Sequence, residues 1–269
     1  MVSRVEGLVA FITGAARGMG RSHALRLAEE GADIIAIDAC ADAPICAYPM
    51  ATEADLAETV RLVEAMDRRI ISSVADVRDL AALRKAVEAG VAALGRLDIV
   101  VANAGIDTLQ SWDEITPEVW QDTIDVNLTG VWNTCAAAIP SLIATGRGSI
   151  VITSSTAGIK GLPFNTPYVA AKFGVVGVAK SLANELGRHR IRVNTVHPTG
   201  TDTDMVKGLG GIAGIQEAGA HLVGLFENSL PVELMDPVDV SNAVLWLASE
   251  ESRYTTGLCL TVDAGNTIR

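Results

Sequence analysis

Short apolar runs alternate with stretches of helical spacing along the whole chain. Runs at 8–12, 33–37, 70–74, 97–102, 149–153, 190–197 and 259–262 predict seven strands. Between them, residues 21–30, 79–94, 112–144, 166–187 and 238–248 carry the spacing of helices. Most of the strand segments are apolar throughout, not alternating, so both their faces are buried. That is the pattern of a parallel sheet covered by helices on both sides. Repeated βαβ units of this length predict an α/β, doubly wound Rossmann fold, a seven-stranded parallel sheet. Two stretches break the rhythm. Residues 39–52, with Pro44 and Pro49, lengthen the turn after the second strand, and residues 200–231 are Gly-rich and read as a flap over a substrate.

At 269 residues the chain fits one large domain able to bury its core without metal or disulfide support. Aromatic residues are only 4%, so that core must be built from Ala, Val, Leu and Ile. A formal charge of -11 disfavours nucleic acid and anionic membranes as partners. Cys40, Cys46, Cys135 and Cys259 form no CxxC pair and read as reduced thiols. The polar first residues run directly into a strand without the pattern of a secretion signal, and no apolar run reaches membrane length, which together predict a cytoplasmic location. No spacing of His, Cys and carboxylates suggests a metal site.

The first strand leads into Thr13-Gly14-Ala15-Ala16-Arg17-Gly18-Met19-Gly20, which opens a helix. Glycines in that place let a backbone approach a pyrophosphate at a helix N-terminus. Asp38 closes the second strand, where a carboxylate accepts both hydroxyls of an adenosine ribose and repels a 2′-phosphate. It therefore favours NAD over NADP. Arg17 pulls the other way, because a cation in the loop can pair with a 2′-phosphate. Asp76-Val77, after the third strand, reads either as a partner for the adenine amino group or as a helix cap. Asn103-Ala104-Gly105, after the fourth strand, offers small residues beside a cofactor.

Tyr168 and Lys172 stand four apart on a predicted helix and share one face. An ammonium one turn away favours the phenolate form of a tyrosine, and an oxidised nicotinamide ring would add a second positive charge; together they make it able to exchange a proton with a hydroxyl. Ser155 follows the fifth strand, where its hydroxyl can hold a substrate oxygen. Asn127 lies in an otherwise apolar helical stretch and needs a local partner or an ordered water. His197 and His221 read either as lining the site or as structural residues.

In this order and spacing, the loop at Thr13, Asp38, Asp76, Asn103-Ala104-Gly105, Asn127, Ser155, Tyr168, Lys172 and Pro198-Thr199-Gly200 resemble the short-chain dehydrogenase/reductase family over nearly the whole chain. The resemblance implies that Tyr168 is the acid/base and that Ser155 orients the substrate oxygen. It further implies that Lys172 holds the nicotinamide ribose and lowers the Tyr168 pKa, and that Asn127 supports a water-linked proton relay. Thr199 to Thr203, including Thr201, would meet the nicotinamide amide, with Thr203 as the hydroxyl. The family usually has Pro-Gly where this chain has Pro198-Thr199-Gly200. The 39–52 insertion and the His197 to Thr201 segment resemble the mycofactocin-associated, carveol dehydrogenase-like branch, whose NAD is held without ready exchange and passes electrons to an external redox carrier.

The expected reaction is interconversion of an apolar, terpenoid-like secondary alcohol and its ketone. Residues 106–108, 155–161, 163–166 and the flap would form its pocket, with Leu162, Phe164, Met205, Leu222, Leu225 and Phe226 as apolar surface. Two alternatives stay open: an NADPH-dependent carbonyl or 3-oxoacyl reductase led by Arg17, and a non-catalytic nucleotide-binding sensor. The helix from residue 166 is apolar nearly all round, which asks for a second covering surface and, with the resemblance, suggests a homotetramer.

Overall fold

The computed structural model describes residues 3–210, 213, 215, 216 and 219–269. Seven parallel strands form one sheet in the order β3-β2-β1-β4-β5-β6-β7. They are β1 (Val9–Thr13), β2 (Asp33–Asp38), β3 (Ile70–Val74), β4 (Ile99–Ala102), β5 (Gly148–Thr153), β6 (Ile191–Pro198) and β7 (Cys259–Val262). The central strands are buried along their length because both faces are covered. At the sheet edge, only Ile70 of β3 is buried, and its other positions are half-buried or exposed, where Ser72 and Ser73 are tolerated.

One face packs α1 (Gly18–Glu29), α2 (Glu53–Glu64) and a helix at Pro237–Ala248, here α8, through Leu27, Val63 and Val244. The other packs α3 (Leu80–Leu94), α5 (Gly130–Thr145) and α6 (Thr166–Leu186) through Leu83, Cys135 and Val175. Each fully buried aliphatic or aromatic side chain in these layers, Phe11 and Ile35 among them, contributes about 1.5–3 kcal/mol of transfer free energy.

The region expected to be helical across 112–144 is α4 (Pro117–Ile124) running through a π-turn at Asp125–Thr129 into α5. π-Turns place one extra residue per turn and recur at functional sites; this one carries Asn127. The chain reverses its winding between β1 and β4, which opens a crevice at their carboxyl ends. The flap stretch contains α7 (Asp204–Gly208) and a 3-10 turn at Ala220–Leu225; residues 211, 212, 214, 217 and 218 lie outside the described residues.

Candidate active site

The glycine loop closes directly onto the crevice. No side chain caps the N-terminus of α1, so its first amides remain available to an anion. A Cβ on Gly20 would stand 1.9 Å from the Gly14 carbonyl oxygen, and one on Gly14 would stand 2.9 Å from Ala104 Cα. The loop is thus packed backbone against backbone, which only glycine permits. Thr13 fastens the floor of the crevice: its hydroxyl accepts from the amides of Asn103 (3.0 Å) and Ala104 (3.1 Å).

A groove of about 180 Å³ follows, lined by the glycine loop, Asp38, Asp76, Val77, Asn103 and Gly105. The Asp38 carboxylate accepts from the Ala16 amide at 3.1 Å and the Cys40 amide at 3.2 Å. It is held at the mouth, where a ribose would arrive. Asp76 is paired with Arg78 at 2.7 Å, which holds its carboxyl below the usual range against the opposing effect of burial. Arg17 departs from its expected part. Its guanidinium pairs with Asp204 of α7 at 3.2 Å and donates to the Pro49 carbonyl of the insertion. It ties insertion to flap instead of standing free for a phosphate.

Tyr48 makes the second tie. Its buried side chain lies against α7, where a Cβ on Gly208 would come within 2.2 Å of the Tyr48 Cβ and 2.8 Å of its ring, and its hydroxyl accepts from the Asp107 amide at 3.2 Å. The insertion therefore packs over the groove and onto the flap.

Beyond the groove opens a cavity of about 450 Å³ containing Ser155 and Tyr168. Leu109, Leu162, Met205, Leu209, Phe226 and Leu234 give it apolar walls. Of the expected apolar residues, Leu162, Met205 and Phe226 are in that wall, whereas Phe164, Leu222 and Leu225 are not. Met19, Thr203 and Met205 border both spaces, so groove and cavity meet there.

The helix register brings Lys172 Nζ to 5.3 Å from the Tyr168 ring centroid. Lys172 is buried, and its ammonium donates to the Thr153 carbonyl at 2.8 Å. Burial lowers its pKa to about 8. The phenol of Tyr168 is pushed up by burial and by the nearby Asp107, while the Ser155 hydroxyl acts in the opposite direction. In the protein by itself burial thus favours the neutral phenol; the second positive charge expected beside it, that of an oxidised nicotinamide ring, comes with the dinucleotide. The same dry pocket lowers the Lys172 pKa while leaving its ammonium the main form at neutral pH.

Ser155 is fixed by its neighbours. Its Oγ accepts from the Ala157 amide at 3.1 Å, and its carbonyl meets His197 Nδ1 at 2.8 Å. His197 Nε2 bonds Thr195 Oγ1 at 2.7 Å, so this buried histidine is structural, and His221 is exposed. Asn127 Oδ1 accepts from the Ile106 amide (3.0 Å) and its Nδ2 donates to the Ile106 carbonyl (2.8 Å). Its local partner is thus the loop after β4. Pro198, Thr199, Gly200 and Thr201 line the cavity, and the Thr203 hydroxyl donates to the Thr201 carbonyl at 3.3 Å.

Asp107 and Asn165 fall in the stretches expected to line the pocket, but their sequence gives neither a role nor their pairing. Asn165 Nδ2 donates to both Asp107 carboxyl oxygens, at 2.8 and 2.9 Å. No local pattern links residues so far apart. A carboxylate in an apolar loop beside a cofactor strand was the available signal.

The family model for short chain dehydrogenases matches residues 8–211. The chain belongs to the short-chain dehydrogenase/reductase family. This dehydrogenase is 47% identical to the (-)-trans-carveol dehydrogenase of Rhodococcus erythropolis over 277 residues, covering 100% of both chains. It is 51% identical to a putative short-chain type dehydrogenase/reductase of Mycolicibacterium smegmatis over 279 residues, again covering 100% of both. Its fold superimposes on carveol dehydrogenase from Mycobacterium avium in complex with NAD with a TM-score of 0.93 at 50% identity, covering 99% of this chain and 100% of that one. A short chain dehydrogenase from Mycobacterium paratuberculosis bound to NAD gives 0.95 at 49% identity, covering 99% and 100%. Among the described residues, no helix is long and apolar enough to cross a membrane, and no metal-ligating cluster occurs.

Proposed function

We propose that this dehydrogenase oxidises a cyclic, terpenoid-like secondary alcohol to its ketone, or the reverse, with NAD. One observation carries the reading: Ser155 and Tyr168 share an apolar cavity that meets the glycine-loop groove at Met19, Thr203 and Met205. The carveol dehydrogenase relatives support both the substrate class and the dinucleotide.

The residues present fit a dinucleotide. Gly14 and Gly20 leave a cradle that a Cβ would fill, and the uncapped α1 amides, with Gly18 and Met19, suit a pyrophosphate. Asp38 would take the adenosine ribose and repel a 2′-phosphate; with Arg17 already engaged, the NADPH reductase alternative loses its principal support. Asp76 and Val77 would border the adenine, Asn103 to Gly105 the middle of the groove, and Tyr168 and Lys172 the nicotinamide ribose. Pro198 to Thr203 would meet the nicotinamide amide. When bound, the nicotinamide supplies the hydride acceptor for oxidation and the donor for reduction.

The protein's own part is proton management and orientation. Ser155 donates to the substrate oxygen and holds it toward Tyr168. Tyr168 takes the hydroxyl proton on oxidation and returns it on reduction. Lys172 contributes positive charge at neutral pH and, in the assembled site, favours the phenolate. Asn127 holds the Ile106 backbone and in this reading keeps a water-linked proton path beside Lys172 in register. The two ties across the groove, Arg17 with Asp204 and Tyr48 with Gly208, support a dinucleotide that leaves slowly and hands its electrons to an external carrier, as in the mycofactocin-associated branch. Exposed Trp120, Trp132 and Phe173 on α4, α5 and α6 support a homotetramer, and four free cysteines suit a cytoplasmic location.

The test is absorbance at the NADH band in protein supplied with NAD and a panel of cyclic secondary alcohols. Reduction with NAD and little with NADP is expected. No reduction across the panel, or a preference for NADP, overturns the reading.

A further inference from the structure

The chemistry just described leaves one buried ionisable group of the cavity without a task. Asp107 follows the Gly105-Ile106 segment, is 8% exposed and lines the same cavity as Ser155 and Tyr168. Its hydrogen-bond partners are neutral: Asn165 Nδ2 reaches both oxygens, and the Thr108 amide donates to Oδ1 at 2.8 Å. Burial of a carboxyl with only neutral partners raises its pKa, here to about 7, with Asn165 and Thr108 opposing the rise.

Asn165 is the residue at the N-cap of α6, yet its side chain does not cap that helix. An asparagine there ordinarily turns its side chain onto the helix amides. Here the amide points to Asp107, while the Asn165 carbonyl accepts from the Val169 amide at 2.8 Å and starts the helix. A neighbouring rung, the Gln110 amide donating to the Phe164 carbonyl at 2.9 Å, joins the same two segments. On its other side Asp107 is braced by the Tyr48 hydroxyl. The carboxyl thus joins the loop after β4 to the first turn of α6, one turn ahead of Tyr168, while the Asp107 amide joins that loop to the insertion.

We propose that Asp107 is a positioning residue for the reaction, its carboxylate clamping the first turn of α6 through Asn165 and standing as a negative charge in the cavity that holds Tyr168. The titratable groups facing it are Lys172 and Tyr168 on α6, and Cys46 and Tyr48 on the insertion. Two of these, the phenols of Tyr48 and Tyr168, and the thiol of Cys46 are neutral at neutral pH; only Lys172 offers a countercharge. Asp107 ionises well before any of the three acids, so each of them loses its proton against an existing negative charge. Binding of a positively charged ring beside Tyr168 and Lys172 would offset that charge, confining phenolate formation to the loaded site. The inference rests on the dehydrogenase reading above.

The experiment follows tyrosinate ultraviolet absorbance against pH, with and without saturating NAD, in the wild type and in Asp107→Asn, using Tyr168→Phe to identify the Tyr168 contribution. Asp107→Asn keeps an oxygen for Thr108 and Asn165 but removes the charge. It is expected to show about tenfold more Tyr168 phenolate at a fixed pH below the midpoint, a shift of about one pH unit downward. The acid-side limb of kcat/KM for alcohol oxidation should move the same way. Asn165→Ala, which loosens the clamp and keeps the charge, should lower kcat and leave the phenolate titration in place. Should Asp107→Asn fail to fold, Asp107→Ser removes the same charge with a smaller side chain. An unchanged Tyr168 titration in a folded charge-removing variant overturns the inference. Because absorbance needs no turnover, a shifted titration without alcohol oxidation would fault the dehydrogenase reading and not the Asp107 assignment.

Discussion

Replacing Gly20 by Ala tests whether the crevice is built by backbone contact. The new methyl would lie 1.9 Å from the Gly14 carbonyl oxygen, 2.6 Å from its carbon and 2.9 Å from Asn103 Nδ2. A carbon–oxygen contact needs about 3.3 Å, so the two backbones must part by about 1.4 Å. The Gly14 turn cannot retreat toward β4, because Ala104 Cα already sits 2.9 Å from where a Gly14 Cβ would be. It must move into the groove or lift the start of α1, and either displaces the amides that face a pyrophosphate. Overpacking of this kind costs about 1–3 kcal/mol. If about 2 kcal/mol of it falls on the bound state, NAD affinity drops roughly thirtyfold. Calorimetric titration with NAD reads the affinity, and a thermal melt without NAD reads the share borne by the fold. Affinity within threefold of the wild type, at an unchanged melting temperature, would refute the reasoning.

Two further perturbations probe separate parts of the account. Asp38→Asn should narrow the preference for NAD over NADP by about tenfold or more, because a like charge no longer opposes the 2′-phosphate; binding titrations with both dinucleotides check this, and an unchanged ratio counts against Asp38 as the determinant. His23 is wholly buried between α1 and α8, bonds Ser241 Oγ at 2.8 Å, and has its pKa lowered from 6.5 to about 3 by burial. A depressed histidine contributes stability that is complete above pH 6.5 and lost as the pH falls toward about 3. The loss is about 1.4 kcal/mol per pH unit. Denaturant melts should therefore show stability falling below pH 6.5 in the wild type and a flatter acid limb in His23→Gln; parallel limbs would contradict it.

Much of this molecule is legible in its order of residues because the decisive contacts are local. Continuous apolar runs mark strands buried on both faces, and the observed β1, β2, β4 and β5 follow them closely. Tyr168 and Lys172 share a helix face by spacing alone, and Asp38 stands at the end of β2 as its register requires. What spacing does not encode is who meets whom across the fold. Arg17 looks free for a phosphate until the insertion and α7 are seen closing on it from both sides. Asp107 and Asn165 lie on separate elements, and only the sheet brings them together. The proton equilibrium of Tyr168 is legible only in part for a related reason. A neighbouring ammonium is visible in sequence, whereas the desolvation that raises the phenol's pKa arises from walls contributed by the whole cavity.

The central claim is that Tyr168 exchanges the proton of a substrate hydroxyl beside a bound dinucleotide. Stopped-flow measurement of NADH formation in Tyr168→Phe, with NAD binding measured on the same preparation, tests it most directly. The account predicts dinucleotide binding close to wild type and a first turnover slowed by about 100-fold or more, the usual contribution of a positioned acid/base. Wild-type NADH formation in a variant lacking that hydroxyl would contradict it.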